Sequence, residues 1–129
     1  MKFAIKELPN APAAIAPDGS AVRILLGLEA GGMAHFELPP GQVSKAVEHK
    51  TVSEIWYFVA GLGQMWREQG GVASIDEVSV GTCLTIPLGT RFQFRAAGDE
   101  PLAAVGVTMP PWPGEGEAVA VDGPWAPTV

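Results

Sequence analysis

Short apolar segments separated by turn signals run through most of the chain and constrain its fold more than any other feature. The separators are PDGS, LPPG, EQGG, VSVG, PLGT and AAGDEP, which are rich in residues that favour tight turns. Gly and Pro account for 16 and 12 of the 129 residues, and no long amphipathic helix stands out. The pattern therefore predicts an all-β domain, such as a sandwich, jelly roll or barrel.

About ten segments have the length and composition of strands. Residues 20–31, SAVRILLGLEAG, also allow helical spacing, but alternating Val22, Ile24 and Leu26 favour a strand. The predicted strands cover residues 2–8, 20–31, 33–38, 45–49, 54–59, 63–67, 74–78, 83–86, 91–95 and 102–108.

The length of 129 residues predicts one domain, with a barrel core at about residues 20–108 and an extended tail at 109–129. The tail is rich in Pro and Gly and carries Trp112 and Trp125. Because exposed tryptophans are costly, we expect the tail to dock on its own barrel or on that of a dimer partner, with disorder as the alternative.

Composition narrows the classes of partner and the compartment. A net charge of -6 disfavours nucleic acid and anionic membrane surfaces. Cys83 is the single cysteine, so no internal disulfide is possible, and we expect a structural thiol. The N-terminal stretch has no apolar region of signal-peptide type and no window is apolar enough to span a membrane. A cytoplasmic location is therefore predicted.

A spaced set of residues lies between positions 41 and 61. Gly41 is followed after five residues by Val47, then by His49, by Glu54 after four more, and by Gly61 after six more. This spacing resembles the first motif of the cupin family, in which a histidine stands where this chain has valine.

Residues 81–96 resemble the second cupin motif. Gly81, Pro87 and Gly89 occupy its turn positions, while Phe92 and Ala96 stand where the motif has histidine and asparagine. The two motifs cover somewhat under half of the chain. The stretches HKTVSEIWYF, GQMWR and LTIPLGTRFQFR resemble small single-domain bacterial cupins. The resemblance implies a cupin-like double-stranded β-helix, a jelly-roll barrel, but no substrate.

The resemblance also implies a metal site, but two of its four ligand positions are apolar. His49 and Glu54 are retained, whereas Val47 and Phe92 have no electron pair to donate. Since a catalytic metal usually needs about three protein ligands, a divalent metal is disfavoured and the sequence specifies no cofactor. A third ligand would have to come from another position, such as Gln64, His35 or Glu37.

Alternation along strands places motif residues on one face of the barrel wall, which the resemblance implies is the interior. His49 and Glu54 are the candidate catalytic acid–base pair as well as the candidate metal ligands. The candidate ligand-binding residues are Val47, Trp56, Phe58, Gln64, Trp66, Phe92 and Phe94.

After Gly61 the alternation allows two phases, because a strand glycine often marks a bulge. Either Gln64 and Trp66 or Met65 and Arg67 line the cavity.

Three functions follow. The leading hypothesis is a small-molecule-binding cupin whose apolar cavity presents His49 and Glu54 to an organic ligand. The resemblance implies a second, a sugar-isomerase-like or dioxygenase-like metalloenzyme with an unidentified third ligand. The third is a structural, dimer-forming barrel without a ligand. A homodimer is expected from the apolar segment KFAIKEL and the tryptophan-containing tail.

Overall fold

The computed structural model describes residues 2–129, which form strands and connecting segments with no helix. Eleven strands follow one another along the chain. They are β1 (Ala14–Ile15), β2 (Ala21–Leu28), β3 (Gly31–Leu38), β4 (Val47–His49), β5 (Ser53–Ala60), β6 (Leu62–Gln69), β7 (Val72–Ser79), β8 (Cys83–Ile86), β9 (Arg91–Ala97), β10 (Leu102–Met109) and β11 (Ala118–Ala120). The predicted all-β class is confirmed, and these residues contain no helix that could cross a bilayer.

The strands form two antiparallel sheets. The six-stranded sheet has the order β1-β2-β3-β10-β5-β8, and the five-stranded sheet has the order β11-β4-β9-β6-β7. Strand β5 explains how they pack, because Glu54, Trp56 and Phe58 are buried while the residues between them are exposed. The buried rows of both sheets form one core, made of Leu38, Val47, Trp56, Phe58, Met65, Val78, Leu84, Ile86, Phe92, Phe94, Ala96, Leu102 and Ala104.

The ends of the chain differ from the predicted strands. Residues 2–8 were predicted as a strand, and this prediction is wrong, because the segment pairs with no neighbouring strand and every residue in it is exposed. Strands β1 and β11 were not predicted. Each is only two or three residues long, and each depends on pairing with a strand from elsewhere in the chain, β2 or β4.

The tail docks on its own barrel, which is one of the two docking sites that the sequence analysis allowed. The Gln93 side chain accepts a hydrogen bond from Trp125 N at 3.2 Å and donates one to Trp125 O at 2.9 Å. The Arg95 guanidinium lies 4.2 Å from the centre of the Trp125 ring, in cation–π geometry. Thr128 N donates to Val43 O, so the tail is held over the five-stranded sheet from β11 to its last residues.

Gly106 on β10 allows two aromatic rings to meet in the interior. Phe36 and Trp56 stack with ring centres 4.9 Å apart, on either side of this position. A β-carbon at Gly106 would come within 2.9 Å of both rings. The absence of a side chain here therefore permits the stacked pair.

Gly106→Ala should destabilise the fold by about 1–3 kcal/mol, because the added methyl group overpacks the stacked rings. Gly32→Ala is the matched control on the neighbouring strand, since its methyl group would have Thr108 Oγ1 at 3.8 Å as its nearest neighbour. Urea unfolding of both variants measures the difference. Equal stability of the two variants would contradict this account of Gly106.

Candidate functional site

A cavity of about 410 Å³ opens between the two sheets. Its walls come from β2, β3, β4, β5 and β9, together with the segment before β2 and the first part of the tail. The lining is mostly apolar, and only three of its side chains are ionisable: Asp18, His49 and Glu54. These three carry the polar chemistry of the site.

His49 ends β4 and Glu54 lies near the start of β5, so the two side chains meet across the inside of the barrel. His49 Nδ1 lies 3.1 Å from Glu54 Oε2, and both side chains are buried. The geometry of this contact is not that of a hydrogen bond donated by Nδ1. Within residues 2–129, His49 Nδ1 has no hydrogen-bond partner. Trp56 Nε1 donates to Glu54 Oε1 at 3.2 Å. Glu54 is therefore oriented by one hydrogen bond, from Trp56, and lies in close contact with His49.

Burial shifts the protonation of both groups towards the neutral form. It raises the pKa of Glu54 to about 8, with the charges of Asp18 and Glu117 adding to the shift and the Trp56 hydrogen bond opposing it. Burial also lowers the pKa of His49, and the Glu117 charge opposes this. Near pH 7, Glu54 therefore keeps its proton and His49 is the neutral imidazole, so the close pair is neutral rather than an ion pair.

Asp18 is a site residue that the sequence reasoning missed. It lies in the turn PDGS before β2, is only 5% exposed and lines the cavity. Its Oδ1 accepts hydrogen bonds from Ser20 N at 2.9 Å and Ser20 Oγ at 2.6 Å. Burial raises its pKa, and the Ser20 bonds oppose the shift. The turn motif was visible in the sequence, but it did not indicate that the turn closes over the barrel.

Two of the four ligand positions of the cupin motif form an apolar contact instead. Val47 on β4 pairs directly with Phe92 on β9. The His49 and Phe92 rings meet edge to face, with ring centres 5.3 Å apart. The side of the cavity where two further ligands would stand is therefore hydrocarbon.

Five predicted site residues line this one cavity: Val47, His49, Glu54, Trp56 and Phe92. Phe58 and Phe94 are buried behind Trp56, with ring centres 6.1 and 5.2 Å from it, and belong to the packed core. They do not line the cavity.

Gln64 and Trp66 were also predicted to bind ligand inside the barrel, and the structure corrects their position. Met65 is the β6 residue that points into the core, so its neighbours point outwards. Gln64 accepts hydrogen bonds from Arg95 and donates one to Glu77 on the outside of the sheet. Met65 lies inside the barrel, as one of the two alternations left open after Gly61 requires, but it packs in the core, and neither Met65 nor Arg67 lines the cavity.

The remaining candidates for a third metal ligand also lie outside the cavity. Ala34 and Phe36 line it, so His35 and Glu37 face the other side of β3, where Arg23 pairs with Glu37 at 3.3 Å. Within residues 2–129, no three His, Cys, Asp or Glu side chains are grouped so as to hold a metal ion. The donor set therefore does not fit the catalytic metal that the motif implies.

The tail and the segment before β2 close one side of the cavity, which the sequence reasoning did not anticipate. Trp112 meets His49 edge to face, with ring centres 5.1 Å apart. Pro111 and Ala118 from the tail, and Ala14 and Ile15 of β1, complete this wall. The prolines and tryptophan of PPWP gave a signal for docking but not for where the segment would dock.

Solved structures with a similar backbone identify the class of fold. A conserved uncharacterised protein with a double-stranded β-helix domain from Klebsiella pneumoniae subsp. pneumoniae has a TM-score of 0.71 at 15% identity, over 95% of this chain and 100% of that one. For a variant of Bacillus subtilis oxalate decarboxylase the TM-score is 0.69 at 19% identity, over 83% of this chain and 29% of that one. The cupin domain of Drosophila melanogaster CENP-C gives 0.63 at 16% identity, over 72% of this chain and 67% of that one.

No protein-family model and no curated protein sequence matches the chain. The chain spans 29% of the oxalate decarboxylase chain, so the likeness concerns only part of a longer protein. The similarity supports the fold: the chain has the double-stranded β-helix of cupin-like barrels, as the two motifs predicted.

Glu54→Gln should remove a pH dependence of stability. The pKa of Glu54 is raised in the fold from 4.5 to about 8, so its stabilising contribution is complete below pH 4.5 and is lost as the pH rises through about 8. Relative to Glu54→Gln, the wild type should lose at least about 1 kcal/mol of unfolding free energy between about pH 7 and pH 8.5, since one pKa unit corresponds to about 1.4 kcal/mol.

This window also separates Glu54 from His49, whose lowered pKa confines its contribution to more acidic pH. Urea unfolding at the two pH values gives the free energies, with the exposed Glu100→Gln as a control that should follow the wild type. Parallel pH profiles for wild type and Glu54→Gln would contradict the assignment.

Proposed function

We propose that this cupin-like protein binds a small organic molecule in the barrel cavity and that His49 and Glu54 present polar groups to it. The observation that carries the proposal is the cavity of about 410 Å³, which lies within the range of about 300–1,000 Å³ typical of ligand sites. A structural barrel without a ligand would be expected to fill this space with side chains. Proteins commonly pair an apolar lining with a few convergent polar groups to orient a ligand.

An acid–base enzyme is the second candidate function. The specific observation that favours it is the close approach of His49 and Glu54, 3.1 Å apart, with pKa values shifted in opposite directions. A protonated carboxyl and a neutral imidazole supply a proton donor and a proton acceptor at one point, as acid–base chemistry requires. With a ligand in hand, a Glu54→Gln variant that still binds it but no longer converts it would separate an enzyme from a binding protein.

We also propose a homodimer in which residues 2–8 of one copy cover the outer face of β5 in the other. Phe3 and Ile5 are almost fully exposed, at 103% and 91%, and have no cover within their own chain. Ile55, Tyr57 and Val59 leave a second apolar surface on β5. Joining the two surfaces would remove both from water. The cytoplasmic location stays a prediction from the sequence.

The cavity is tested by filling it. Ala34→Phe adds a ring to a position that lines the cavity, whereas Ala73→Phe adds the same ring at an exposed position on β7. The neutral apolar fluorophore N-phenyl-1-naphthylamine serves as the probe. We expect Ala34→Phe to weaken its binding by about tenfold or more, His49→Ala to weaken it less, and Ala73→Phe to leave it unchanged. Equal binding by the wild type and Ala34→Phe would count against a site in the barrel.

The dimer is tested by sedimentation equilibrium. The wild type should have about twice the single-chain mass of 13.5 kDa. The dimer dissociation constant of the double variant Phe3→Ser, Ile5→Ser should be about tenfold higher or more, because the apolar contact is lost. Lys2→Ser, Lys6→Ser changes the polar positions of the same segment and should remain dimeric. A single-chain mass for the wild type across micromolar concentrations would exclude the proposed dimer.

A further inference from the structure

The cavity lining contains acidic groups and no fixed cation. Asp18 and Glu54 are acidic, His49 is the only other ionisable side chain there, and no lysine or arginine lines the cavity. The one basic group that influences Asp18 is Lys45, whose exposed side chain belongs to the segment before β4 and does not line the cavity. A negatively charged ligand would therefore meet two carboxyl groups without a positive partner.

The two carboxyl groups also lie where burial makes their ionised forms costly in free energy. Both are nearly fully buried, at 5% and 3% exposed, and the charge of Asp18 makes ionisation of Glu54 harder. Buried carboxylates are usually paired with a cation or held neutral. Nothing inside the cavity provides that cation, although Ser20 and Trp56 supply one hydrogen-bonded side each.

The rest of the lining suits the same kind of ligand. Trp56, Phe36, Phe92 and Trp112 present aromatic rings to the cavity. Aromatic faces attract organic cations, and the attraction is stronger where water is excluded. Apolar side chains such as Ile15 fill the remainder of the wall and would surround a hydrocarbon body.

We infer that the cavity takes a compact organic cation, an amine with an apolar body, whose ammonium group faces Asp18 and Glu54. This inference rests on the proposed small-molecule function and names the class of its ligand. It separates this chain from the oxalate decarboxylases that share its fold, because the substrate in their name is a dianion and this cavity offers it no positive partner.

Proton exchange should accompany binding. An ammonium ion favours the ionised form of the carboxyl that it contacts, so Glu54 gives up its proton when the amine enters. The other groups that act on Glu54 are His49 and Asp18 in the cavity and Glu117 just before β11. None of them is a fixed cation, so binding should strengthen as the pH rises from about 6 to about 8, below the range in which the amine itself loses its charge.

A matched set of three probes tests the inference: 1-naphthylmethylamine, 1-naphthalenemethanol and 1-naphthoate. The three share one apolar body and carry a cation, a neutral group and an anion. By isothermal titration calorimetry the amine should bind at least about tenfold more tightly than the alcohol, and the carboxylate should bind most weakly. Repeating the titration in buffers of different ionisation enthalpy should reveal proton release with the amine alone.

Two variants locate the effect. Glu54→Gln and Asp18→Asn should each weaken amine binding by about tenfold or more and weaken alcohol binding by a clearly smaller factor, because each removes a carboxyl that can ionise beside the ammonium and keeps the size. The amide oxygen introduced by Asp18→Asn would still accept hydrogen bonds from Ser20, which favours a folded variant. Glu100→Gln removes an exposed charge outside the cavity lining and should change the binding of none of the probes.

The outcomes separate two claims, that the cavity binds a small molecule and that this molecule is a cation. Tighter binding of the alcohol or of the carboxylate would overturn the cation inference and leave a small-molecule site in place. Binding of none of the three probes at millimolar concentration would overturn both. Amine binding that ignores Glu54→Gln and Asp18→Asn would show a cation site elsewhere on this acidic protein and would also overturn the inference.

Discussion

The Trp56 indole lies between the packed core and the cavity, and the site depends on this one side chain. Its ring stacks on Phe36 and meets Phe92 and Phe94 edge to face, so residues of two other strands, β3 and β9, converge on it. It also donates a hydrogen bond to Glu54. The same residue therefore packs against the core on one side and orients the buried Glu54 carboxyl on the other. Gly106 makes the arrangement possible by leaving room for the rings.

The replaced ligand positions have a coherent physical result. Val47 and Phe92 lie opposite each other on paired strands, so apolar side chains at both positions form one continuous hydrocarbon surface. The His49 and Phe92 rings meet edge to face at this surface, and His49 keeps its contact with Glu54. The lack of polar groups around these two lowers the local polarity. That loss of solvation is the main cause of both pKa shifts.

The sequence could predict the elements whose geometry is local. Alternation in β5 put Glu54 and Trp56 on one face, the cupin resemblance implied that this face is the interior, and both residues are buried in the structure. It could not fix β6, because alternation has only two phases and Gly61, with a φ of 79°, interrupts the count between strands. The sequence pattern also could not predict which residues from distant segments reach the cavity. Asp18 and Trp112 reach the cavity because segments before β2 and after β10 fold back over it, and no periodicity records that path.

The wall formed by β1 and the tail has a consequence for how such barrels diversify. The two motifs specify turns and strand register, while part of the cavity surface belongs to segments outside them. Substitutions in these segments can therefore change the shape and polarity of the cavity surface while the strands that the motifs specify stay in place. Chains that superpose closely in their strands can for this reason differ in the side chains that face the cavity.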